Sequence, residues 1–150
     1  MPYVETAIDI AAPARVIYEL AKDMERYPEF MPDVEAVKVL ARDGNSTTTR
    51  WKTLVEEAPI EWTEVDVFDD ARTRIDYRLI EGDLDKFEGA WTFEERDGVT
   101  HVVLGVEYDF GVPTLAELIG PTLQKKVEEN SSMMLSALKA HAEKHAKERI

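Results

Sequence analysis

No cysteine occurs in this chain. Disulfides, thiolate nucleophiles, iron–sulfur clusters and cysteine-ligated zinc are thereby excluded. The absence fits a reducing compartment, and a cytoplasmic location is expected. Basic charge is also scarce. Eighteen Lys and Arg stand against 31 Asp and Glu, for a net charge of −13. Such a surface repels phosphate backbones and anionic lipid headgroups, so no nucleic acid partner is expected. No apolar run approaches the ~20 residues of a membrane span. The segment Met1-Pro2-Tyr3-Val4-Glu5 lacks a basic stretch followed by an apolar one, so no signal peptide is expected. Glycine-rich phosphate loops and a glycine-flanked nucleophilic serine are missing too.

What is present is an apolar pattern dense enough for a core: 44% of the 150 residues are hydrophobic. One domain over residues 1–150 is expected. Val4, Thr6, Ile8 and Ile10 alternate with polar neighbours and predict a first strand. Pro13 suits the first turn of a helix, and Val16, Ile17, Leu20 and Ala21 carry helical spacing to about Asp23 or Met24. Pro28 and Pro32 then forbid a long helix and leave a short turn bearing Tyr27 and Phe30.

Six more strands follow. They run from Val34 to Ala41, Thr47 to Val55, Ile60 to Phe68, Thr73 to Ile80, then through Phe87–Phe93 and Val102–Phe110. Asp43-Gly44-Asn45, Ala58-Pro59, Asp69-Asp70, Glu81-Gly82-Asp83 and Asp97-Gly98 separate them. Short strands divided by turns imply an antiparallel meander. Thr114 and Glu117 then have capping-box spacing, and Leu115, Leu118, Ile119, Leu123, Val127, Met134 and Leu138 continue an apolar stripe. Gly120-Pro121 predicts a kink, because Pro121 cannot donate to the preceding turn. A seven-stranded antiparallel sheet must cover one face, and only this long C-terminal helix can span it. The class is α+β, with two short helices after the first strand.

Aromatic residues on the inward faces fit either a solid core or an apolar binding cavity. Three stretches resolve this by resemblance. They are Tyr27-Pro28-Glu29-Phe30-Met31-Pro32-Asp33-Val34; Glu81-Gly82-Asp83-Leu84 leading through Gly89 to Trp91-Thr92-Phe93; and the helix with Gly120-Pro121. Together they resemble the polyketide cyclase/dehydrase and coenzyme Q-binding branch of the START-like (SRPBCC) superfamily. The resemblance implies a helix-grip fold: a curved sheet wrapped around the C-terminal helix, with an apolar cavity between them. The residues expected to line it are Trp51, Tyr77, Phe87, Trp91, Phe93 and Tyr108 on the sheet, with Phe30 near one rim. Leu115, Leu118 and Ile119 would form a lid, and Leu123, Val127 and Met134 would complete the helix side. Thr49 and Asn130 are the expected polar contacts, with Thr53 and Ser131 beside them.

The expected partner is an apolar small molecule: a lipid, a quinone or a polyketide-like compound, bound by a carrier or chaperone. The alternative is a polyketide aromatase/cyclase-type dehydratase, which requires a polar pair inside the cavity. A ribosome-associated, toxin-like role sits badly with the charge. No catalytic residue is assigned. Arg50 and Arg74 lie on the polar sides of their strands and would reach a ligand only through a bulge. Glu56-Glu57, Asp69-Asp70 and Glu94-Glu95 read as solvated strand ends. His141 and His145 share a helix face, but a third ligand is missing, so no metal and no cofactor is expected.

Overall fold

The computed structural model describes residues 3–55, 58–109 and 113–148; the side chains at 55, 58, 113–121, 123 and 145–148 lie outside the description. The first strand, β1 (Tyr3–Ile10), leads into α1 (Ala14–Lys22) and a 3₁₀ helix (Met24–Glu29). Six strands follow: β2 (Val34–Asp43), β3 (Ser46–Val55), β4 (Ala58–Asp69), β5 (Arg74–Gly82), β6 (Lys86–Arg96) and β7 (Val99–Asp109). The chain then forms α2 (Pro113–Glu148), about 54 Å long at ~1.5 Å per residue.

The sheet order is β1-β7-β6-β5-β4-β3-β2, and every neighbouring pair is antiparallel. Strands β2 to β7 form the expected meander. β1 joins the far side against β7, which leaves β1 and β2 as edges. Local chemistry sets the turns. Gly44 (φ +59°) closes β2–β3, while Asp97 (φ +55°) and Gly98 (φ +81°) close β6–β7 with two consecutive left-handed residues. That is the twist-matched hairpin that Asp-Gly favours. Ala58-Pro59 is a correction to the sequence reading, since it begins β4 instead of separating two strands. Pro59 pairs with Leu54 near the strand start, where a missing amide donor is tolerated.

Register fixes the faces. In β3, Thr47, Thr49, Trp51 and Thr53 point inward; in β4, Trp62, Glu64, Asp66 and Phe68 do. Ile75 and Tyr77 of β5, Trp91 and Phe93 of β6, and Val102, Leu104, Val106 and Tyr108 of β7 complete the inner face. The 3₁₀ segment is the plug at one end. Met24, Tyr27 and Met31 are buried, and Tyr27 stands edge-on to Trp51 at 5.5 Å. The Tyr27 hydroxyl donates to the Ala21 carbonyl and ties the plug to α1.

α2 is continuous through Gly120 and Pro121. Leu135, Leu138 and Ala142 are its buried anchors, and it packs mainly along β1, more lightly on α1 and β7. The proposed lid residues Leu115, Leu118 and Ile119, and the helix residue Leu123, fall among side chains outside the description.

Candidate functional site

Between sheet and helix lies a cavity of about 40 Å³. Trp51, Trp62, Tyr77, Phe87 and Trp91 form its aromatic wall, Leu104 and Val106 its floor, and Met24 its end; Asn130, Ser131 and Met134 of α2 close it. The wall is braced ring on ring. Trp51 and Trp62 stack at 5.7 Å with an interplanar angle of 4°, across the directly paired position of β3 and β4. Phe87 leans on Trp62 at 5.0 Å and on Tyr77 at 5.6 Å. The Tyr77 hydroxyl donates to the Gly105 carbonyl at 2.7 Å, so its polar end is spent on the sheet.

One wall is acidic. Glu64 lines the cavity at 3% exposure, and Asp66 lies directly behind it at 0%. Trp62 Nε1 donates to Glu64 Oε1 at 2.7 Å. Thr49 Oγ1 and Thr47 Oγ1 both donate to Asp66 Oδ2, at 2.6 and 3.3 Å. Thr49 in turn accepts from Trp51 Nε1 at 2.8 Å, so an indole–hydroxyl–carboxylate chain runs along β3 and β4. No N–H or hydroxyl donor reaches Asp66 Oδ1 among the described residues. The Glu64 and Asp66 carboxyls are also hydrogen-bonded to each other. Two carboxyls can bond only if one keeps a proton.

The environment decides which one. Burial, first, and then the Asp66 charge push Glu64 far above its ordinary value. Burial raises Asp66 as well, but its bonds from Glu64, Thr49 and Thr47 favour the ionised form. Of the two, Glu64 is the one that burial and its neighbour's charge hold toward the neutral acid, and Asp66 the one whose hydrogen bonds favour the carboxylate.

The expected site residues divide. Trp51, Tyr77, Phe87, Trp91, Asn130 and Met134 come together at the cavity, with Thr53 and Ser131 beside them. Others sit elsewhere. Thr49 is buried behind the wall, holding Asp66. Phe93 packs against Tyr18 and Trp91. Tyr108 is buried on β7 opposite Phe87. Val127 is half-buried against the core, and Phe30 stacks on His141 at 4.2 Å outside the cavity. Arg50 and Arg74 stay on the outer face, paired with Glu61 and Asp76 at 3.5 and 3.0 Å. Asp70 receives Tyr18 and Lys22 at the surface. His145 is outside the description, and no group of three metal-ligating side chains occurs among the described residues.

Glu64 and Asp66 were missed, together with Trp62, Met24, Leu104 and Val106. The acid pair had a signal. Trp62, Glu64, Asp66 and Phe68 share one strand parity, so two acids are flanked on their own face by large apolar residues.

This architecture is the START-like helix grip, a curved antiparallel sheet closed by one long C-terminal helix. Residues 10–134 match the family model of polyketide cyclase/dehydrase and lipid transport proteins, and the chain belongs to that family. A protein of Thermus thermophilus of known structure is 33% identical and superposes with a TM-score of 0.90, covering 94% of this chain and 97% of its own. The Zhui aromatase/cyclase of a Streptomyces species is 25% identical, with a TM-score of 0.87 and coverage of 95% and 93%. The actinorhodin polyketide synthase bifunctional cyclase/dehydratase of Streptomyces coelicolor is 31% identical over 89% of this chain. The chain spans 42% of that relative's length. Among the described residues, no helix is long and apolar enough to cross a membrane.

Proposed function

We propose that this chain binds an apolar, ring-bearing small molecule that carries a carbonyl or hydroxyl oxygen, a polyketide-like compound, between its sheet and α2. The observation that carries this reading is the composition of the cavity wall: five aromatic side chains with Thr53, Glu64, Asn130 and Ser131 as its polar contacts. Binding sites are typically apolar surfaces with a few placed polar groups that fix orientation. A plain acyl chain has no use for a buried acid, whereas a ligand oxygen does. The kinship with an aromatase/cyclase and a cyclase/dehydratase supports the same choice.

As it stands the cavity has room for roughly two or three waters. A ring system therefore enters by displacing Met134, which is flexible, or by lifting α2 from β7. Native mass spectrometry after gentle purification, followed by thermal-shift titration with quinones, aromatic ketones and fatty acids, tests the reading. Saturable stabilisation by the oxygenated aromatic compounds is the expected result. Stabilisation by fatty acids alone would refute it.

A further inference from the structure

Within the cavity, two features have no role in packing. The first is Glu64, 3% exposed, which lines the cavity wall while hydrogen-bonded to a second buried carboxyl. The second is on the opposite side. Ser131, also 3% exposed, lines the cavity from α2 and makes none of the side-chain hydrogen bonds seen among the described residues. Asn130 stands beside it. An acid–base group and polar donors thus face one another across an aromatic-walled space. That is the arrangement needed to remove a proton next to a carbonyl.

We propose that Glu64 is a catalytic acid–base that enolises a ketone held in this cavity, with Asp66 behind it as the partner that takes up and returns a proton. The proposal rests on the binding reading above. A hydrogen on the carbon beside the ketone passes to Glu64 while the proton already on Glu64 passes to Asp66. The C–H electron pair becomes the C=C bond of an enolate, and the negative charge settles on the ketone oxygen. The Ser131 hydroxyl and the Asn130 amide donate to that oxygen. Return of both protons restores the ketone and leaves the pair with the one proton it began with. The pair passes from singly charged to neutral and back, so two buried negative charges never stand together. Enolisation is the first step shared by aldol ring closure and by loss of water from a β-hydroxy ketone.

The surroundings suit a proton relay. From β3, Thr47 and Thr49 donate to Asp66, Trp51 donates to Thr49, and none of the three carries a charge. Among the described residues, Tyr27 of the 3₁₀ segment and Tyr77 of β5 are the other titratable groups facing the pair. Burial raises both well above the ordinary tyrosine value, so they stay neutral. Among the described residues, α2 brings Asn130, Ser131 and Met134 to the cavity, none of them charged.

The test uses β-tetralone, an apolar bicyclic ketone with exchangeable hydrogens. NMR follows replacement of those hydrogens by deuterium in heavy water, and tryptophan quenching follows binding. The wild-type chain should accelerate exchange saturably. At saturating ketone, Glu64→Gln should lower that acceleration by about a hundredfold or more. Asp66→Asn leaves Glu64 as the only group that can ionise, and burial keeps it protonated to higher pH. The low-pH limb of the exchange profile should therefore move upward, a change that loss of packing would not cause. Wild-type binding without accelerated exchange, or unimpaired exchange by Glu64→Gln, would overturn the catalytic assignment while ketone binding stood. An unmoved profile in Asp66→Asn would overturn the role of Asp66. Failure of wild type to bind β-tetralone would bring down both readings together.

Discussion

Replacing Glu64 by Gln should stabilise the protein, and by an amount that grows with pH. In the native state Glu64 keeps its proton well above its ordinary value of 4.5. In the unfolded chain it loses that proton near the ordinary value. Its folded pKa is raised, so the folded state binds one more proton across the window above 4.5. Stability then falls as pH rises, by about 1.4 kcal/mol per pH unit for that one proton, until the folded pKa is passed. Glutamine has no proton to lose. It also preserves the local bonds: its carbonyl oxygen can accept from Trp62 Nε1, and its amide can donate to the Asp66 carboxylate. Urea unfolding of both proteins between about pH 5 and 8, followed by tryptophan fluorescence, gives the difference directly. The variant should gain on wild type as pH rises above about 4.5, at up to about 1.4 kcal/mol per unit while Glu64 keeps its proton in the folded state. A difference that stays flat across this range would refute the shared-proton description. A difference that falls with pH would mean that Glu64 is the ionised member.

Three further outcomes follow from the same geometry. Trp62→Phe removes the indole donor to Glu64 and thins the stack on Trp51; a loss of about 1–3 kcal/mol in urea unfolding is expected. Gly89→Ala would drive a Cβ into the Gly105 carbonyl oxygen, which also receives Tyr77, so β6 and β7 must part. Thermal unfolding should report at least about 1–3 kcal/mol of destabilisation. Ser131→Leu places a bulky group in the cavity; ketone binding should weaken more than about tenfold, read by tryptophan quenching.

The acid pair also shows why the site was only partly legible. Alternation assigns Trp51, Tyr77, Phe87 and Trp91 to one face of their strands, and these do converge at the cavity. The same alternation placed Phe93 and Tyr108 inward correctly, but inward is not the same as cavity-lining. Which inward residues border free space depends on where α2 and the 3₁₀ plug leave a gap. Glu64 and Asp66 escaped notice because acids in a chain of net charge −13 read as solvated surface. Burial of this particular pair needs Trp62 and Thr49 at bonding distance, and those contacts join positions two residues apart with positions on a neighbouring strand.

Sequence by itself determined the elements and their order. Period-two and helical spacing, the Asp-Gly turns and the prolines after α1 are local rules, and they act wherever the chain goes. It also determined the inward faces, because a one-residue slip would expose every apolar side chain of a strand. Tertiary structure alone decided that β1 pairs with β7 and that α2 runs unbroken through Gly120-Pro121. It alone brought Glu64 and Asp66 together out of water, where two carboxyls must share one proton because the interior is a poor solvent for charge.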